Sequence, residues 1–167
     1  MPADPMVASR SPAGILLGGL LAGLLDIVYA FVLAAMRGGT PLRVLQSIAS
    51  GVLGTGAYQG GFATGIVGLA LHLSITGVAA WIFWLAARSS LVIQRHILWC
   101  GLAFGALVYL FMNFVVLPLS AVPFQLKYSP GVILQGFISH AALVGLPIAW
   151  CLRWFAFRSD PESHNAA

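Results

Sequence analysis

The chain has 167 residues, of which 60% are hydrophobic and 7% charged, with a formal net charge of +4 and a mean hydropathy of +0.96. Soluble domains carry about 25% charged residues, so a water-soluble fold of this length is excluded: it could not cover its own surface. The eight Lys and Arg stand singly between apolar runs, without a basic stripe, which excludes nucleic acid as a partner and leaves the lipid bilayer as the solvent.

The expected fold is an all-α integral membrane protein, an antiparallel four-helix transmembrane bundle. A short amphipathic interfacial helix is expected between the first two spans. A cytoplasmic tail, residues 1–13, leads into a first apolar run over 14–36, broken only by Asp26. A secretory signal has an apolar stretch of about 7–15 residues and a small-residue cleavage site; this run is longer, carries an acid and ends in Met36-Arg37. It reads as a retained span. Thr40-Pro41 then resembles a helix cap with proline at the first helical position. Leu42, Leu45, Ile48 and Ala49 recur at helical spacing while Arg43, Gln46, Ser47 and Ser50 face elsewhere, which predicts an interfacial helix over 41–50. Gly51, Gly54, Gly56, Gly60 and Gly61 predict a flexible return.

The second run covers 62–87 and contains His72; the third covers 97–119; the fourth covers 132–155 and contains His140. Each reaches the length of about 20 residues that a bilayer core requires. None alternates as a barrel strand would, and backbone in lipid must bond internally, which leaves helices. Ser129-Pro130 repeats the cap signal ahead of the fourth run, and Pro147 should distort that helix. Residues 159–167 are polar and read as a disordered tail. Arg10, Arg88, Arg95, Arg153 and Arg158 fall on one side, against Arg37, Arg43 and Lys127 on the other. The positive-inside rule then predicts a multi-pass protein with both termini cytoplasmic.

Helix association in lipid depends on close packing by small residues, and glycines recur here at spacings of three and four. Gly19 and Gly23, Gly65 and Gly68, and Gly101 and Gly105 are the expected packing positions. On the first helix Gly19, Gly23, Asp26 and Tyr29 share one stripe; on the second Gly65, Gly68, His72 and Thr76 do so. The third offers Ala106, Tyr109 and Asn113, and the fourth Gly136 and His140. Counting from the run ends places Asp26, His72 and His140 at one depth, with Asn113 nearer the outer surface. A charged group at mid-bilayer costs about 2.5–3.5 kcal/mol on insertion scales, and these groups can compensate one another, Asp26 accepting a hydrogen bond from an imidazole.

Four readings of this set stay open. Histidine titrates near neutral pH, so Asp26, His72, Asn113 and His140 could pass protons or hold an ion or small solute. The same groups could only fix helix register, in a non-catalytic subunit or scaffold. His72 and His140 could ligate a haem iron from both sides, or join Asp26 around a metal ion. Without a C-x-x-C-H motif a haem would be haem b, held non-covalently, and the leading expectation is no cofactor. No G-x-S-x-G, H-E-x-x-H or phosphate loop occurs, so the chain is not expected to be an enzyme, although acid–base chemistry at His72 or His140 is left open. Cys100 and Cys151 read as packing residues, and His96 and His164 as solvated. One protomer would enclose a narrow pore, so a homo-oligomer or another membrane subunit is the expected partner.

An acid in the first span, His72 in the second, Met112-Asn113-Phe114 running to Pro118 in the third and His140 in the fourth form an ordered set. In this order of the four runs the chain resembles the YagU-type inner-membrane proteins of bacteria, departing from them in a shorter first connection with its Thr40-Pro41 helix. The resemblance implies a bacterial inner (plasma) membrane location and a role connected with acid tolerance, and it brings no catalytic residues with it.

Overall fold

The computed structural model describes residues 12–123 and 129–157. The expected tails, apart from 12–13, and Arg10, Lys127, Arg158 and His164 lie outside the described residues. Six helices follow in chain order: α1 (Ala13–Ala35), α2 (Pro41–Leu53), α3 (Gly61–Arg88), α4 (Leu91–Arg95), α5 (Ile97–Leu119) and α6 (Pro130–Phe155). Among the described residues there is no strand, and α1, α3, α5 and α6 are each long and apolar enough to cross a membrane. The chain is an all-α membrane protein.

Local chemistry sets the helix ends. Thr40 Oγ1 accepts from the Arg43 N–H at 3.3 Å, with Pro41 in the first turn. Ser129 Oγ accepts from the Val132 N–H at 3.4 Å, ahead of Pro130. Ser90 does the same for Ile93 at 3.4 Å, which turns the connection between the second and third spans into the short helix α4. The glycine-rich return is ordered: Gly54–Tyr58 forms a 3₁₀ turn. Gly54 and Gly61 each have φ +57°, a left-handed backbone that suits glycine because a Cβ would be strained there.

α1 packs against both α3 and α6, α5 packs against α6, and α3 and α5 scarcely touch. The close approaches are made at glycines. A Cβ on Gly19 would come within 2.8 Å of the Gly77 Cα, and one on Gly23 within 2.7 Å of Thr76 Oγ1, so the small stripe of α1 lies against α3. A Cβ on Gly105 would lie 2.7 Å from the Gly145 N, and one on Gly101 2.8 Å from the Gly145 O, so α5 and α6 meet almost backbone to backbone. Gly65 and Gly68 receive α2 instead of another span: a Cβ on Gly65 would meet Leu42 at 2.8 Å, and one on Gly68 would strike the Leu45 carbonyl.

The orientation of α2 departs from its reading as a surface helix whose polar residues turn away. Gln46, Ala49 and Ser50 are its buried residues, and Val52 and Leu53 are exposed. Polarity divided the sequence into two faces, but Leu42, Leu45, Gln46, Ala49 and Ser50 form one continuous stripe at three- and four-residue spacing, and this stripe seats on the glycines of α3. Gln46 Nε2 donates to the Gly61 carbonyl at 3.2 Å and the Ser50 hydroxyl to the Ser47 carbonyl at 2.7 Å, which makes their burial tolerable. At its far end the Gly51 carbonyl accepts from the Ala121 N–H at 2.9 Å. α2 therefore spans from α3 to the end of α5.

Two prolines distort the spans by one mechanism. A proline inside a helix removes an N–H and crowds the preceding turn, and both helices widen just ahead of it into π turns. The Leu117 N–H reaches back to Met112, before Pro118, and the Leu146 N–H to Ala141, before Pro147. The distortion expected at Pro147 takes this form, and α5 repeats it.

Candidate functional site

The two π turns frame the place where the buried polar residues meet. Asn113 lies in the first, and His140 immediately precedes the second. Asp26 of α1 reaches between α3 and α6: its Oδ2 lies 3.9 Å from His72 Nε2 and its Oδ1 3.9 Å from His140 Nδ1. These separations are within ion-pair range and too long for a direct hydrogen bond. All three side chains are mostly buried, at 14% exposure for Asp26, 12% for His72 and 24% for His140.

The expected Asp–His hydrogen bond is replaced by bonds to the main chain. His72 Nε2 lies 3.0 Å from the Gly23 carbonyl and His140 Nδ1 3.1 Å from the Gly136 carbonyl. A carbonyl oxygen only accepts, so each contact places the ring proton on that nitrogen. The physical reason is the helix approach. Gly23 carries no side chain and lets α3 come close enough for His72 to reach the α1 backbone, while Gly136 is one turn before His140 on its own helix. The carboxylate thus sits beside two N–H groups whose protons are directed at carbonyls.

The tyrosines complete the surroundings. Tyr109 packs edge-on to His140, with ring centroids 5.1 Å apart, and its hydroxyl donates to the Val132 carbonyl at 3.4 Å. Gly136 leaves room for this ring. Asn113 Nδ2 donates to the Tyr109 carbonyl at 2.9 Å. Gln135 Nε2 donates to the Tyr29 hydroxyl at 2.7 Å, a tie between α6 and α1 that the sequence reading passed over. Its signal was available: Gln135 is an amide inside an apolar run, one turn from His140 but off its stripe.

The three ionisable groups line a cavity of about 400 Å³. α3 supplies Leu71, His72, Ile75, Thr76 and Ala79; α5 supplies Val108, Met112, Asn113, Val116 and Leu117, with Ser120 just past its end; Asp26, His140 and Val144 come from α1 and α6. Ser47, Ile48, Gly51 and Val52 of α2 line it as well. It occupies the gap where α3 and α5 separate. Of the packing glycines, Gly19, Gly23, Gly101 and Gly105 bring spans together, and Gly65 and Gly68 hold the helix that borders the cavity.

Among the described residues, no three His, Cys, Asp or Glu side chains are grouped to hold a metal ion. The nitrogens turned toward Asp26 are the ones that donate to carbonyls, so in this arrangement neither offers it a shared lone-pair site. The thiols are apart from this chemistry: Cys100 is half-buried and Cys151 buried. His96 is exposed. Comparison with protein-family models, with curated proteins and with solved structures gave no match to this chain.

Proposed function

We propose that Asp26, His72 and His140 form a proton-exchange site in the wall of a cavity, in a non-enzymatic protein that moves protons, ions or a small solute across a bacterial inner membrane. The observation that carries this reading is the placement of one carboxylate 3.9 Å from an imidazole nitrogen on each of two other helices. Three ionisable groups from three helices meet beside a cavity that Asn113 also lines. Intramembrane ionisable residues commonly mark such paths, and the YagU-type resemblance, with its link to acid tolerance, points the same way.

The test is flux. Liposomes containing the protein should dissipate an imposed pH gradient faster than empty ones. Asp26→Asn should slow that flux, because asparagine keeps the shape but cannot ionise; His72→Gln and His140→Gln should act alike. Equal leakage from loaded and empty liposomes, with folded protein in both variant and parent, ends the proton reading. It would favour a structural role, for which the carbonyl bonds of both imidazoles already provide a basis. An absorption spectrum with metal analysis of the purified protein separates either role from a haem or metal site. The arginine distribution supports a cytoplasmic side for both termini, and a reporter fused after Arg88 should read as cytoplasmic; an external signal there would invert the orientation.

A further inference from the structure

The cavity beside Asp26 is larger than a proton path needs, and its lining is mostly apolar. Leu71, Ile75, Met112 and Val116 line it, partly exposed where α3 and α5 separate, and Asp26 lies in the same wall. An apolar cavity of about 150 Å³ already admits benzene, so about 400 Å³ accommodates an aromatic ring with a small polar head. The sign of that head follows from what surrounds Asp26. α3 presents His72 and α6 presents His140, both with their protons directed at carbonyls. α5 presents Asn113 and Tyr109, each bonded to main chain, and α2 contributes no ionisable group to the cavity. Arg43 of α2 lies over the Tyr58 ring instead. Among the described residues Asp26 is the acid that lines the cavity, and no Lys or Arg lines it. A ligand cation beside that carboxyl group would gain from pairing in a low-dielectric site.

We infer that the cavity binds small apolar organic cations, amines or quaternary ammonium compounds carrying a ring or short alkyl groups, with the cationic head beside Asp26. This rests on the reading of Asp26 as the functional group of the cavity and names the solute for the same site.

The experiment uses labelled phenyltrimethylammonium with the full chain in phosphatidylcholine nanodiscs, against empty discs. The expected result is saturable binding that benzenesulfonate, the same ring with the opposite charge, does not displace. Folded Asp26→Asn should lose about tenfold or more in affinity. Absence of saturable binding, displacement by benzenesulfonate, or full affinity in Asp26→Asn overturns the inference. If Asp26→Asn does not fold, Ile75→Trp fills the cavity from α3 and should weaken binding by a similar factor; full affinity in that folded variant also overturns it. Proton flux without cation binding removes this ligand and leaves the proton site. Cation binding without flux supports this ligand and removes proton movement on its own.

Discussion

The same four spans build two different interiors. Toward the Arg88 end, Phe83, Ala87, Ile97, Ile148, Leu152 and Phe157 form an apolar core in which no side chain is more than 4% exposed. Phe83 and Phe104 lie 5.0 Å apart between ring centroids there, one of the few points where α3 meets α5. Toward α2 the spans part, and the space between them holds the cavity and the ionisable groups. The difference lies in which side chains face inward. In the apolar half alanines and large side chains interdigitate, with Gly18 and Gly101 letting helices approach at Ile148 and Ala149; in the polar half Gly23 and Gly105 bring α1 to α3 and α5 to α6, and the remaining gap is bordered by a helix that is itself polar on its buried side. In the apolar half the described buried side-chain atoms without a partner are Trp84 Nε1 and Gln94 Oε1. They sit near Arg88, whose guanidinium lies 4.9 Å over the Trp84 ring. A rigid half thus anchors the ends of four helices, and their other ends are free to be held apart around a site.

This contrast can be broken first at its seam. Gly105 lies where α5 crosses α6 beside His140, and main-chain atoms cannot yield as a flexible side chain can. Gly105→Val should cost about 3 kcal/mol or more, read as loss of folded protein in a denaturation series in detergent. A near-neutral result would mean that the crossing is looser than its geometry.

A matched pair sharpens the comparison itself. Ile148, fully buried in the apolar half, and Ile75, on the cavity wall, are the same residue in different surroundings. Ile148→Ala should destabilise by about 2–4 kcal/mol, because it opens a void in a filled space. Ile75→Ala only enlarges an existing cavity and should cost less than about 1 kcal/mol. Equal losses would show that the two halves are packed alike.

Within the polar half, Asp26→Leu alone should be worse than Asp26→Leu combined with His72→Leu and His140→Leu. Removing one member leaves the others desolvated and unpaired, which typically costs about 1–3 kcal/mol, whereas removing all of them can be near neutral. Strictly additive losses would show that the three groups are energetically independent at their 3.9 Å separations. The smallest expected effect is at the entry to α2. Thr40→Ala removes one cap bond and should loosen that helix by about 1 kcal/mol, seen as faster hydrogen exchange at the Arg43 amide with the apolar half unchanged.

The sequence by itself determined the four spans, because bilayer insertion responds to local hydropathy and length, both of which are written along the chain. It also showed the caps at Thr40 and Ser129, since each depends on residues within three positions, and it set Asp26, His72 and His140 at similar counts from their helix ends. Tertiary structure decided what those groups touch. The sequence could not show that His72 would donate to the Gly23 carbonyl, because that bond depends on how closely α1 and α3 approach. Nor could it show that Gln46 and Ser50 would turn inward: polarity suggested an outward face, but the glycines of α3 offered a groove and nearby carbonyls offered partners. The cavity was the least legible feature. It exists because α3 and α5 separate at one end while touching at the other, and such a separation arises from the fit of whole helix surfaces, which no local pattern encodes.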